Sequence, residues 1–181
     1  GENGLKELET VCWVLDICNA KVNDSCGFHV HMDAAGFNLD TWKNLTLTYK
    51  HLEHLIDAFM PRTRRNNTYC KTLSGVSDER IKSVRTIDGL REVFNNDRYH
   101  KVNFEAYSRH RTVEFRQHSG TTNFTKMENW IRFLNGLITF AKRSSLPSRM
   151  TLEELPFLDG KQKLFFKLRT KKLADDTDLS F

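Results

Sequence analysis

Gly27-Phe28-His29-Val30-His31-Met32-Asp33 is the stretch on which the reading of this chain turns. Apolar and polar side chains alternate with a period of two, the pattern of a half-buried strand. Phe28, Val30 and Met32 take one face, and His29, His31 and Asp33 take the other. A second alternating stretch, Arg111–His118, sets Val113, Phe115 and Gln117 against Thr112, Glu114, Arg116 and His118. Residues two apart on a strand stand about 6.6 Å apart on one face. If both strands share a sheet, one polar surface holds imidazoles, a carboxylate and a guanidinium. An H-x-H pair alone is commonly two half-exposed polar positions. The added E-x-R-x-H pattern favours a site, because solvated faces prefer Lys, Glu and Thr, whereas His and Arg beside a carboxylate suit metal ions and phosphate.

Outward from these strands, Leu5, Leu8, Cys12 and Leu15, widened by Val11, Val14 and Cys18, predict a first helix. Trp42, Leu45, Tyr49, Leu52, Ile56 and Phe59 predict a second, stopped by Pro61. Residues 61–76 read as polar and irregular, with short helices around 78–84 and 86–95 and a further strand over Lys101–Glu105. Thr125 with Glu128 reads as a capping box opening a helix that carries Met127, Trp130, Ile131, Leu134, Leu137, Ile138 and Ala141. Thr151 with Glu154 reads as another. No strand leads into a Gly-rich phosphate loop. The pattern predicts an α+β fold, helices on one face of a largely antiparallel sheet and polar residues on the other.

At 181 residues the chain has the length of one domain. Its 39% hydrophobic content, with thirteen Phe and three Trp, excludes disorder. No run approaches the roughly 18 apolar residues of a membrane span, and no secretory segment is visible. Cys12, Cys18, Cys26 and Cys70 form no C-x-x-C pair, which argues against a zinc cluster or disulfide scaffold and for a reducing, cytoplasmic compartment. Sequons at Asn23, Asn44, Asn66 and Asn123 are the minority argument for secretion; a chain rich in Asn and Thr produces them by chance. The net charge of +5 gathers at Arg62, Arg64, Arg65 and Lys71, and at Lys161, Lys163, Lys167, Arg169, Lys171 and Lys172, before an acidic end at Asp175, Asp176 and Asp178. Nucleic acid is disfavoured, since only Tyr69 interleaves the first basic run and no known module is present.

A His and a carboxylate can hold a divalent ion, and a neighbouring Arg can grip phosphate oxygens. No Ser or Cys sits in a recognisable nucleophile setting, and no H-E-x-x-H helix is present. Phosphoryl or acyl-phosphate chemistry fits this set better than proteolysis. Gly27-Phe28-His29-Val30-His31-Met32 closely resembles the G-x-H-x-H-M strand of glutamine synthetases, and Val113-Glu114-Phe115-Arg116 their E-x-R strand. The longer signatures over residues 26–33 and 112–121 are similar to the amidoligase family, relatives of glutamine synthetase and glutamate–cysteine ligase. Residues 61–70 and 98–103 share the likeness, which spans about residues 1–143.

The resemblance implies a glutamine-synthetase-like fold, with a curved, mostly antiparallel sheet, and ATP-dependent joining of a carboxylate to an amine through an acyl phosphate. It implies a catalytic set of Glu114, Arg116 and His31, and Mg²⁺ or Mn²⁺ on His29 and Glu114. His31, Arg64, Arg98 and Arg116 would bind ATP or phosphate, supported by Asn103 and His118. Residues 1–145 would form the catalytic domain and 146–181 a basic helical extension. The substrates would be small-molecule or peptide carboxylates and amines; oligomeric state stays open. Two departures are visible. The family's opening E-x-E strand has no counterpart ahead of the first helix, as expected of a piece of a longer protein or of an ion site lacking half its carboxylates. Thr112 stands where glutamine synthetases carry an Arg, and Arg111 is expected to face away. The main alternative is a non-catalytic interaction protein on the same scaffold, binding a protein or nucleic acid. A hydrolase with zinc or iron around His29, His31 and Glu114 is disfavoured by the helix content, which argues against a cupin-like barrel.

Overall fold

A computed structural model of the chain describes residues 1–178, with side chains as far as Ala174. The acidic side chains Asp175, Asp176 and Asp178 lie outside the described residues. The elements run α1 (Glu2–Ile17), β1 (Gly27–Asp33), α2 (Leu39–Ala58), α3 (Asp78–Ser83), α4 (Ile87–Val93), β2 (Val102–Asn103), α5 (Ala106–His110), β3 (Thr112–Ser119), α6 (Phe124–Ala141) and α7 (Gly160–Asp178). Single helical turns lie at Arg62–Arg64 and Leu152–Glu154. The class is α+β, around a small antiparallel sheet of order β1-β3-β2.

Local chemistry explains most boundaries. The Asn38 side chain accepts from the Thr41 amide at 2.8 Å and starts α2. The expected Thr125–Glu128 capping box does not form. Asn123, a stronger cap two residues earlier, accepts from the Lys126 amide at 3.0 Å, leaving Thr125 inside the first turn and Glu128 paired to Arg132. The Thr151–Glu154 box is present, but it closes only the turn Leu152–Glu154. Asp159 and Gln162 bond reciprocally, at 2.8 and 3.1 Å, and open α7. The strand expected over Lys101–Glu105 shortens to Val102–Asn103, because Glu105 turns the chain into α5. Arg111 belongs to no strand: it caps α5 in the left-handed conformation and its guanidinium covers Tyr107 at 4.2 Å.

Strand register decides the site. His31 stands opposite Glu114 and Val30 opposite Phe115, yet Phe28 stands opposite His118. Between these pairs β1 supplies one residue, His29, and β3 supplies two, Arg116 and Gln117, which makes a β-bulge. Beyond the bulge the alternation shifts by one. His118, expected beside Glu114 and Arg116, instead turns with Phe28 toward the helices and packs on Trp130, ring centroids 5.8 Å apart.

Val30, Val102, Val113 and Phe115 form the buried side of the sheet, covered by Tyr49, Leu52 and Ile56 of α2 and by Trp130, Phe133 and Leu134 of α6. The segment after residue 145 shares this core. Leu146, Leu155, Leu158 and Phe166 are buried in it, and Phe166 meets Phe59 at 4.5 Å and Phe133 at 5.4 Å. No helix among the described residues is long and apolar enough to cross a membrane. At the far end of the β1–β3 ladder the Gly120 amide donates to the Cys26 carbonyl at 2.8 Å. A Cβ on Gly120 would lie 2.4 Å from the Cys26 Cβ. Gly120→Ala should therefore lower the urea midpoint, by about 1–3 kcal/mol of stability. Gly36→Ala, whose Cβ meets nothing within 4 Å, should leave it unchanged.

Candidate active site

Glu114 is the centre of the polar face. It sits mid-strand on β3, between His31 of β1 and Asn103 of β2 in the ladder, and only 6% of it is exposed. Its Oε1 lies 3.1 Å from His29 Nδ1, 3.7 Å from His31 Nε2 and 3.0 Å from an Arg116 guanidinium nitrogen. Its Oε2 accepts from the Asn103 amide at 2.6 Å. Burial alone would raise its pKa, but hydrogen bonds from His29 and Asn103 and the charge of Arg116 prevail and hold it down to about 2. The carboxylate is thus kept ionised in a nearly closed position. Thr112 bonds His31 Nδ1 through its hydroxyl at 2.8 Å, which orients the ring with Nε2 toward Glu114.

Beside Glu114 opens a cavity of about 530 Å³, lined by His31, Asn103, His110, Arg116 and the cationic side chains Arg91, Arg98 and Arg109. Arg91 is neutralised by Glu105 at 2.5 Å and Asp88 at 2.9 Å. Arg98 is exposed; it donates to the Tyr99 hydroxyl at 2.8 Å and lies over that ring. Arg109 has no ion-pair partner among the described residues. The surplus of guanidinium over carboxylate makes this an anion-accepting cavity.

Arg64, expected to hold phosphate, is elsewhere. It is buried and its fork donates to the backbone carbonyls of Arg116 and Gln117, the two bulge residues, the second at 3.3 Å. The guanidinium braces the bulge from within and has no access to the cavity. Gly27 makes room for this: a Cβ there would lie 2.8 Å from His29 Nε2 and 3.1 Å from the Arg64 fork.

Sequence reasoning missed the network behind the sheet. Lys101, fully buried, donates to Asp57 at 2.8 Å and Glu53 at 3.2 Å. Gln117 donates to Asp57 at 2.5 Å and accepts from the Tyr49 hydroxyl at 2.7 Å. Glu53 also accepts from the Leu73 amide at 2.5 Å and from the Thr72 hydroxyl. Glu53 and Asp57, one turn apart beside the apolar Leu52 and Ile56 of α2, were the available signal.

The donor types at Glu114 suit a divalent ion, and His29 is the imidazole nearest the carboxylate, at 3.1 Å. Among the described residues no group of three or more His, Cys, Asp or Glu side chains converges as a ligand set. The carboxylate oxygen nearest both imidazoles is also bonded by Arg116. The arrangement as it stands accepts an anion.

The fold and site together are an α+β scaffold with an ionised carboxylate, bonded by one guanidinium, at the edge of an arginine-lined cavity. A family model described as "Putative amidoligase enzyme" matches residues 1–138, and the chain belongs to that family. No curated protein and no solved structure matches the chain.

Two pH windows of stability follow. Burial holds His118 down to about 4 from an ordinary 6.5, helped by the positive charges of Arg169, Lys126 and Arg64 against its bond to the Ser119 carbonyl. From pH 6.5 to about 4 the unfolded chain binds a proton that the native chain refuses, so stability falls as pH falls. Glu114 adds a second loss from about 4.5 down to about 2, where the unfolded carboxyl protonates first. Each is worth about 3 kcal/mol in full. In urea titrations across this range His118→Asn should remove the upper loss alone and Glu114→Gln the lower alone.

Lys101→Met should cost about 3–5 kcal/mol by leaving Glu53 and Asp57 unpaired. Glu53→Gln in that background should recover part of the loss, read as a rise in the denaturation midpoint.

Proposed function

We propose that this amidoligase-family protein is an ATP-dependent carboxylate–amine ligase that forms its amide bond through an acyl phosphate. The observation that carries the reading is the Glu114 carboxylate, held ionised by His29, Asn103 and Arg116 at the edge of a cavity with unpaired guanidinium groups. Two anions, a nucleotide triphosphate and a carboxylate, must meet in such a reaction, and their repulsion is the main barrier to encounter. Arg98 and Arg109 offset it by binding oxygens from the cavity wall. Arg116 lies where charge gathers on the transferring phosphoryl group, and its contact with Glu114 keeps the fork oriented.

In the first step a carboxylate oxygen attacks the terminal phosphorus and ADP leaves. In the second, the amine attacks the acyl carbon, phosphate leaves, and the surplus amine proton passes to a base. His31 fills that role in this reading: Thr112 fixes one ring nitrogen and the other faces Glu114. A divalent ion, Mg²⁺ or Mn²⁺, would arrive on the nucleotide phosphates and supply charge neutralisation there. The reading carries with it a glutamine-synthetase-like fold, small-molecule or peptide substrates and a cytoplasmic setting. The last accords with four free cysteines.

Calorimetric titration of ATP with Mg²⁺ tests the nucleotide half of the proposal. The expected outcome is Mg²⁺-dependent binding weakened about tenfold or more by Arg116→Gln and by Arg98→Gln, the usual loss for one charge-assisted hydrogen bond. Absence of binding, or binding by both variants as tight as that of wild type, overturns it. The alternative of an interaction protein draws on α1, where Val11, Trp13, Val14 and Ile17 are exposed. Such a protein would keep its partner in Glu114→Gln while showing no nucleotide binding.

A further inference from the structure

Over the Lys101 network, behind the sheet, opens a second polar cavity of about 450 Å³. Helix α2 contributes Glu53, His54 and Asp57 to its lining, and the segment after the Arg62–Arg64 turn contributes Arg65 and Asn66. Lys101 joins the two carboxylates. Most of the charge here is already spent. Glu53 uses one oxygen on Lys101 and the other on the Leu73 amide, and the neighbouring Lys50 is held by Asp78 at 2.5 Å.

Four groups are not fully spent. Asp57 takes both Lys101 and Gln117 on Oδ1, at 2.8 and 2.5 Å, and its Oδ2 has no partner among the described residues. His54 Nε2 lies 3.2 Å from the Met150 carbonyl. A carbonyl only accepts, so Nε2 carries the proton and the neutral ring offers Nδ1 as a bare acceptor. Arg65 donates from Nε to the Met60 carbonyl at 3.1 Å, which orients the guanidinium. Its two terminal nitrogens have no partner among the described residues. The Asn66 oxygen accepts from the Thr72 amide at 3.3 Å, which leaves its Nδ2 free to donate.

These free groups are sorted by element. The acceptors, His54 and Asp57, stand three residues apart on one face of α2, and the donors, Arg65 and Asn66, stand together on the other segment. A simple anion would satisfy the donors and bring its charge to Asp57. A simple cation would satisfy the acceptors and bring its charge to Arg65. A molecule with an ammonium at one end and a carboxylate at the other satisfies both walls: the ammonium has three donors and no acceptor, and the carboxylate accepts from a guanidinium fork. An α-amino acid carries both groups within one small molecule, and a cavity of this size admits it.

We propose that this cavity binds a free α-amino acid, its ammonium on Asp57 and His54 and its carboxylate on Arg65 and Asn66. The site is separate from the Glu114 cavity and does not rest on the ligase reading. Through Asp57 it touches Gln117, so an occupant contacts the partner of a bulge residue.

Thermal melts with each standard L-α-amino acid, followed by calorimetry on those that raise the Tm, test the proposal. At least one should bind. Because Asp57 also holds Lys101, the ammonium contact is read from the ligand side: the N-acetyl derivative of that amino acid and its carboxamide should each bind about tenfold more weakly or worse. Arg65→Gln should weaken the amino acid by a similar factor, while the double variant Arg98→Gln/Arg109→Gln should bind it as wild type does. No binding by any amino acid overturns the proposal, as does undiminished binding of the N-acetyl derivative or the carboxamide. Undiminished binding by Arg65→Gln overturns it as well. Binding lost in the double variant places the amino acid in the Glu114 cavity and overturns it too.

Discussion

The polar face depends on one irregularity in the sheet: Arg116 and Gln117 of β3 together stand opposite His29 alone. An extra residue in a ladder leaves two carbonyls without regular partners, and the Arg64 fork takes both. With the bulge pinned, Arg116 projects over Glu114 on one side while Gln117 and His118 turn to the other. The absence of a side chain at Gly27 and the close crossing at Gly120 serve the same local geometry. Each lets a neighbouring group approach the ladder more closely than a Cβ would allow.

Charge is then organised on both sides of a thin sheet. On the cavity side an ionised Glu114 is matched by Arg116 and by donors from His29 and Asn103. On the helix side Lys101 is matched by Glu53 and Asp57, joined through Gln117 to Tyr49. Burying ion pairs seldom adds net stability, because desolvation consumes most of the attraction. What such pairs supply is a single allowed arrangement, since breaking either leaves an uncompensated charge in a medium of low polarity. The rotamer of Arg116 is set by Glu114 in front and its backbone by Arg64 behind, so the candidate site is held from two directions.

Much of this was legible in the chain. Period-two alternation located β1 and β3, and the apolar stripes located α1, α2 and α6, because helix and strand repeats arise within a few neighbouring residues. The clustering of His29, His31, Glu114 and Arg116 followed from two strands sharing one sheet. Capping was read less well: Thr125 and Glu128 had the right spacing, but Asn123 competed two residues earlier. The basic composition of the tail does not disclose that Leu155, Leu158 and Phe166 pack in the same core as α2 and α6. Arg64 and Arg98 looked alike in sequence, two arginines in polar stretches, yet one is enclosed and the other exposed.

The sequence by itself determined the class of fold, the two strands that bear the polar residues and the family to which the chain is similar, since all three reside in local period and local motif. Only the tertiary structure decided the register. A bulge is a mismatch between two strands some eighty residues apart, stabilised by a third segment, and no local pattern in either strand carries it. That one shift sends His118 into the core, recruits Arg64 to the backbone and joins Gln117 to a buried lysine network. Long-range packing and the need to pair the charges buried beside the sheet made those choices.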